Sequence, residues 1–272
     1  MTIRFFCPRW GMEHTSWKSF LQRVKAAGYD GVECSLPDDA PEQQSMQLGL
    51  QQYALAWIGQ HWQTVTQPFA EHQAEFTQRL QALAAAKPLF INSQTGKDYY
   101  TFEQNARLIA DADAIAAATG IRVLHETHRG KFSFAAHIML TYLQQLPALR
   151  ITLDISHWCA VAETLLQDQT EAVATAIART DHIHARIGHT QSAQVIDPRS
   201  PENAATLAFH LQCWDAVIEA KKKAGVQHFT ITPEYGAPPY QQLLPFTTQP
   251  IADQWEINLF MMQLLKERYG HR

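Results

Sequence analysis

Four short segments carry the groups best suited to chemistry: His125-Glu126-Thr127-His128, Asp154-Ile155-Ser156-His157, His182-Ile183-His184-Ala185-Arg186 and Pro233-Glu234-Tyr235. Each closes or includes an apolar or β-branched run, so each reads as the C-terminal end of a strand. Strands five to eight thereby deliver a carboxylate, a carboxylate, an imidazole and a carboxylate to one place. Buried carboxylates gathered there repel unless a cation neutralises them, because an unpaired buried charge costs several kcal/mol. A divalent metal is the simplest cation. Oxygen ligands joined by one nitrogen suit Mn²⁺, Mg²⁺, Co²⁺ or Zn²⁺ and exclude copper or iron–sulfur chemistry. Taken singly, Glu126 reads as a salt-bridge partner, Asp154 as a turn residue, His184 as a satisfied core histidine and Glu234 as a solvated charge. Their equivalent positions on successive strands favour the shared site, because separate structural roles require no such arrangement.

The elements that must position these groups repeat along the whole chain. Strands are expected at Ile3–Cys7, Gly31–Ser35, Tyr53–Gly59, Pro88–Ser93, Ile121–Glu126, Arg150–Ile155, His182–Arg186 and His228–Pro233. They begin roughly 32 residues apart, the length of one βα unit, and eight such units close a (β/α)₈ barrel. The fold expected is therefore α/β, a single TIM-barrel domain over 1–272, with the catalytic face at the strand C-termini. Helices alternate with the strands: Trp17, Phe20, Leu21 and Val24 form one apolar stripe ended by Gly28. Thr101-Phe-Glu-Gln104 is a capping box whose helix ends at Gly120, and Leu207–Ala224 and Asp253–Tyr269 complete the ring. Pro37–Gln52 has little periodicity and reads mostly as loop. Two long connections, Gly188–Ala205 and Gly236–Pro250, lie on the catalytic side, and the proline-bearing first of them is expected to fold over the barrel mouth. A doubly wound open sheet is the competing fold, but no Gly-x-Gly-x-x-Gly or Walker motif follows any strand.

Glu on strand five, Asp-x-x-His on six, His-x-His on seven and Glu on eight, with Gly28-Tyr-Asp-Gly31-Val-Glu33 at strand two, resemble the xylose-isomerase-like superfamily. That group includes D-tagatose 3-epimerase-type ketose epimerases, hydroxypyruvate isomerases, inosose dehydratases and endonuclease IV. The resemblance runs over essentially the whole chain. It implies that Glu126, Asp154, His184 and Glu234 are the metal ligands, that His157 touches substrate oxygens, and that Glu126 and Glu234 act as the acid/base pair. Two sugar-gripping positions of the ketose epimerases, a glutamate and an arginine, are here Phe132 and Thr190, which argues against a D-tagatose or D-psicose specificity.

Arg186, two residues beyond His184 on the same strand face, offers a fixed positive fork for a carboxylate, phosphate or hydroxyl; a salt bridge to Asp197 or Glu33 is the equal alternative. His128, two residues past Glu126, points to the same mouth, either to bind substrate or to orient a ligand. Trp10, Trp57 and Trp158 are candidates for an apolar wall against a sugar's C–H face, with core packing the plainer role for each.

The function these features favour is a metal-dependent isomerase or epimerase that moves a proton next to the carbonyl of a small sugar-like compound through an enediolate. An inosose-type dehydratase uses much the same parts. An endonuclease IV-like phosphodiesterase is supported only by His61, beyond strand three, and a non-catalytic sugar-binding barrel by no positive sign. Lys and Arg number 22 against 26 Asp and Glu, without a basic aromatic patch, so no nucleic-acid partner is expected. No apolar run is long enough for a membrane span and the first residues carry no export signal. Cys7, Cys34, Cys159 and Cys213 lack Cys-x-x-Cys spacing and read as reduced, packed thiols, so the expected compartment is the cytoplasm. A homo-oligomer is compatible with the sequence, which does not set the state.

Overall fold

The computed structural model describes residues 1–270; the last two residues of the expected domain, 271–272, lie outside the described residues. Eight parallel strands close into a barrel in sequence order: β1 (Thr2–Pro8), β2 (Gly31–Cys34), β3 (Ala56–His61), β4 (Ile91–Ser93), β5 (Val123–Glu126), β6 (Ile151–Leu153), β7 (Thr180–His184) and β8 (His228–Thr232). Closure is made by β1 against β8, with Thr2 opposite His228 and Phe5 opposite Ile231. All eight expected strands are present. Arg186 lies just beyond the end of β7 rather than within it, and Tyr53 belongs to a helix.

The helices among the described residues are α1 (Trp17–Ala26), α2 (Ala40–Tyr53), α3 (Phe69–Ala85), α4 (Phe102–Thr119), α5 (Ala136–Gln145), α6 (Ser156–Ala162), α7 (Thr170–Arg179), α8 (Ala204–Lys223) and α9 (Gln254–Tyr269). Thr101 and Gln104 form the reciprocal capping box that opens α4, and Gly120 closes it in the left-handed conformation. The expectation of a loop over 37–52 is overturned by α2. There the Asp39 side chain accepts from the Glu42 N–H, a proline sits in the first turn, and only Met46, Gly49 and Leu50 are buried. Its capping outweighs its weak apolar stripe. No helix among the described residues is long and apolar enough to cross a membrane.

Two apolar layers flank the strands. The larger packs strand outer faces against the helices and includes Phe5, Val32, Ile91, Ile151, Ile183 and Ile231. Trp57 and Trp158 also lie in it, with their indole N–H groups donating to the Cys34 and Ser133 carbonyls, so both are core residues. The smaller layer, Phe6, Ile58, Phe90 and Leu124, plugs the barrel interior. Alternation along each strand puts Glu33, Gln60, Asn92 and Glu126 on the same inner face, nearer the C-terminal mouth. Gly31 makes room for the plug: a Cβ there would sit 2.3 Å from the Ala56 carbonyl and 2.5 Å from the Phe6 ring. All four cysteines are buried and free.

Candidate functional site

Above the apolar plug the barrel interior turns polar. Glu126, Asp154, His184 and Glu234 are all buried, and each offers a ligand atom within 4.8 Å of the others'. The structure brings these four sequence-derived residues together. His184 Nδ1 lies 2.8 Å from Glu234 Oε2 and 3.8 Å from Glu126 Oε1, yet it has no hydrogen-bond partner. On its other side, His184 Nε2 is 2.9 Å from Glu33 Oε1, a carboxylate that fixes the ring and leaves Nδ1 for a ligand in the cluster. This donor set, with an unbonded buried imidazole nitrogen aimed among carboxylates, fits a divalent cation.

Glu33 is the residue that sequence reasoning assigned only as an alternative partner of Arg186. It accepts hydrogen bonds from Asn92 Nδ2 at 2.9 Å and Thr232 Oγ1 at 2.5 Å, and lies 3.2 Å from His182 Nε2. Burial alone would raise its pKa, but the charges and hydrogen bonds of His184 and His182 outweigh this and hold it well below the carboxylate range. Its signal was present: an inward-facing carboxylate one residue before the end of β2, as Glu126 is at the end of β5. Amides were also missed. Asn92 Nδ2 and Gln94 Nε2 donate to the two oxygens of Glu126 at 3.0 and 3.3 Å, while Gln60 Nε2 donates to Glu234 Oε1 at 3.2 Å.

Arg186 pairs with neither Asp197 nor Glu33. Its Nε donates to Asp154 Oδ2 at 3.0 Å and its Nη2 to Glu234 Oε2 at 2.5 Å, so the fork spans the two strands that flank β7. Asp197 is instead taken by Arg199. Asp154 is further fixed by Ser156, whose N–H and hydroxyl both donate to Oδ1.

These contacts split the protonation preferences of the carboxylates. Burial, aided by the neighbouring Glu234 and Asp154 charges and opposed by His184, pushes Glu126 up to about 8. Burial also raises Asp154, against the pull of Arg186. For Glu234 burial acts in the same direction, but His184 and Arg186 overcome it and hold the group below its ordinary value. His184 responds in kind: burial would lower it, but Glu234, Glu33 and Glu126 lift it well above the usual histidine range.

His157 and His128 stand over this cluster with ring centroids 3.9 Å apart. His157 is fully buried, neither ring nitrogen has a hydrogen-bond partner, and burial together with His128 and Arg186 keeps it neutral at physiological pH. His128 is held by the Arg129 carbonyl at Nδ1 and by Tyr240 Oη, 3.1 Å from Nε2. Tyr240 and Trp10 close the site from above Arg186, with ring centroids 4.6 and 5.6 Å from its guanidinium carbon. Gly236 permits this, since a Cβ there would meet the Trp10 ring at 2.1 Å.

The cavity opening from this cluster has a volume of about 590 Å³ and is walled by the loops after β1, β2 and β3 together with Tyr240. Among the described residues none of 188–205 lines it, contrary to the expectation of a lid. That loop buttresses the β8 loop: Gln194 exchanges two hydrogen bonds with the Gly236 backbone, and Tyr235 Oη donates to the Ile196 carbonyl. His61 is saturated by Ser93 Oγ and Thr64 Oγ1, which leaves neither ring nitrogen free for a metal.

Solved structures share this architecture over nearly the whole chain. The apo 3-keto-D-glucoside 4-epimerase of E. coli aligns with a TM-score of 0.63 at 12% identity, covering 98% of this chain and 100% of that one. A xylose isomerase-like TIM barrel protein from Mycobacterium smegmatis, in complex with magnesium, gives 0.63 at 11% identity over 97% of each chain. A probable 3-DHS dehydratase from Bacillus anthracis gives 0.60 at 18% identity, covering 98% of this chain and all of that one. The chain shares the (β/α)₈ TIM-barrel fold of these structures. By sequence, no family model and no curated protein matches it.

Proposed function

We propose that this protein is a metal-dependent isomerase or epimerase that moves a proton next to the carbonyl of a polyhydroxylated compound. The observation that carries this reading is geometric: Glu126 and Glu234 are both buried and offer oxygens within 4.8 Å of each other, together with Asp154 and His184. Two carboxylates gathered at one site are suited to act as a pair of acid and base. Glu126, Asp154, His184 through Nδ1 and Glu234 would hold one divalent ion, Mn²⁺, Mg²⁺, Co²⁺ or Zn²⁺. Such an ion stabilises the negative charge that develops on the carbonyl oxygen.

In this scheme one glutamate would take the proton from carbon and the other would deliver its own proton to the opposite face of the enediolate, the two exchanging protons with solvent between turnovers. His157, with both ring nitrogens unsatisfied, receives a hydroxyl or carbonyl oxygen, and His128 and Arg186 orient the substrate. The partner is a small sugar-like molecule. A dehydratase is the second reading, since it would use the same buried carboxylate and imidazole cluster. The same fold serves both kinds of neighbour, the E. coli epimerase and the B. anthracis probable dehydratase.

The test is proton exchange in D₂O with Mn²⁺-loaded protein, using D-fructose, D-tagatose and methyl 3-keto-D-glucoside as probes. Wild type should exchange the proton beside the carbonyl of at least one of them. Glu234→Gln should keep about one metal per chain and lose exchange from one epimer. Exchange and turnover retained in both the Glu126→Gln and Glu234→Gln variants, with metal bound, would overturn the acid/base assignment. Metal binding without exchange or water loss on any probe would favour a non-catalytic barrel.

A further inference from the structure

The cavity is larger than the chemistry needs. A single hexose has roughly twelve non-hydrogen atoms, each smaller than the ~30 Å³ share of a water molecule, so it fills less than about 360 Å³. The volume here is about 590 Å³, and it runs from Glu234 and Arg186 outward to the loops after β1 and β2. The far end lies away from Glu234 and Arg186.

Arg9 lies there, only 6% exposed. One of its nitrogens, Nη2, donates to the Thr15 carbonyl at 2.7 Å, and the guanidinium is clamped 4.0 Å from the Trp17 ring and 4.6 Å from the Phe20 ring. The other, Nη1, has no partner, and neither has the buried hydroxyl of Ser35 on the next loop. Both residues line the cavity. A buried donor left unpaired is costly, more so on a charged group, so this pair is a standing demand for an acceptor. Trp10, Trp17 and Trp62 line the walls beside it, the Trp17 ring being covered on one side by the guanidinium, and Glu13, Asp38 and Glu42 line it as well.

These features select a ligand class. The acidic lining repels an anion such as a phosphate or carboxylate. The buried guanidinium repels a cation. Indole faces suit the C–H face of a ring, and the mixture of unpaired donors with carboxylate acceptors suits hydroxyls, which can both accept and donate. We propose that the Arg9–Ser35 end is a second subsite that binds a neutral sugar ring, so that the substrate is a glycoside or disaccharide whose reacting ring sits at Glu126 and Glu234. This rests on the sugar isomerase or epimerase reading and deepens it.

The test is titration of the full-length protein in Mn²⁺, followed by tryptophan fluorescence and calorimetry. The ligands are methyl β-D-glucoside, phenyl β-D-glucoside, glucose 6-phosphate, and the disaccharides maltose, cellobiose and trehalose. At least one disaccharide should bind about tenfold more tightly than methyl glucoside, a preference worth ~1.4 kcal/mol. Ser35→Ala and Trp62→Ala should each reduce that preference several-fold while leaving methyl glucoside affinity unchanged; Trp62 is half exposed, so its replacement spares the fold. Arg9→Lys should abolish the preference. Equal affinity for methyl glucoside and every disaccharide, with D₂O exchange on the keto-glucoside intact, would overturn the second subsite and leave the proposed function standing. Tightest binding by glucose 6-phosphate or phenyl glucoside would overturn the neutral-sugar assignment. No sugar binding at all, together with no exchange, would overturn both.

Discussion

Replacing Glu126 by Gln should make the metal-free protein relatively more stable at pH 8 than at pH 5, a direction opposite to the loss expected when a buried side chain is disturbed. In the folded chain burial and the charges of Glu234 and Asp154 lift the Glu126 carboxyl from its ordinary 4.5 to about 8. The folded state therefore holds a proton that the unfolded state releases above pH 4.5. Its contribution to stability is complete below that value, falls as pH rises, and is lost once pH passes the folded pKa. At about 1.4 kcal/mol per pH unit the whole window carries at most ~5 kcal/mol. Gln has the same size and cannot ionise, so its variant lacks this slope, although its amide must face the donors of Asn92 and Gln94 and it starts with a deficit at pH 5. Urea unfolding in excess EDTA at pH 5, 6, 7 and 8 should show the variant-minus-wild-type stability becoming more favourable by roughly 3–5 kcal/mol across the series. Parallel curves for the two proteins would refute the protonated Glu126. A metal requires the ionised carboxylate, so added Mn²⁺ should stabilise wild type more at pH 8 than at pH 6.

Three further outcomes follow from the same geometry. Glu33→Gln removes the carboxylate that orients His184 through Nε2, and should weaken Mn²⁺ binding by about 10–100-fold in equilibrium dialysis; unchanged affinity would show that Glu33 serves only the barrel interior. Arg186→Lys cannot span Asp154 and Glu234 at once, and should lower kcat/KM on whichever keto sugar is turned over by at least about tenfold while metal content stays near one per chain. Gly31→Ala drives a methyl group into the Ala56 carbonyl and the Phe6 ring, and should cost about 1–3 kcal/mol in urea unfolding; a neutral result would mean that the plug beneath the site can shift.

What could be read from the sequence was set by how far each signal travels along the chain. The eight strands and the convergence of Glu126, Asp154, His184 and Glu234 were legible because strand alternation and the mouth-facing rule of a parallel barrel act locally and repeat identically in every unit. Helix α2 was missed because periodicity was given more weight than capping, although Asp39, Pro41 and Glu42 already spelled a helix start. Arg186 was put on the correct face, but its partners depend on which strands flank β7, and closure in sequence order makes these β6 and β8, the strands leading to Asp154 and Glu234. The loop 188–205 shows its stiffness locally and its direction only through Gln194 bonding to Gly236, a contact 42 residues away. Glu33 is the most instructive omission. Its residue type and position near the strand end matched the rule that found Glu126, yet the groups that engage its two oxygens, Asn92, His184 and Thr232, come from β4, β7 and β8. Residue type at a strand end thus predicts which groups enter the barrel mouth. Which of them keep a free ligand atom, and which hold the others in place, is decided by hydrogen bonds across the closed barrel.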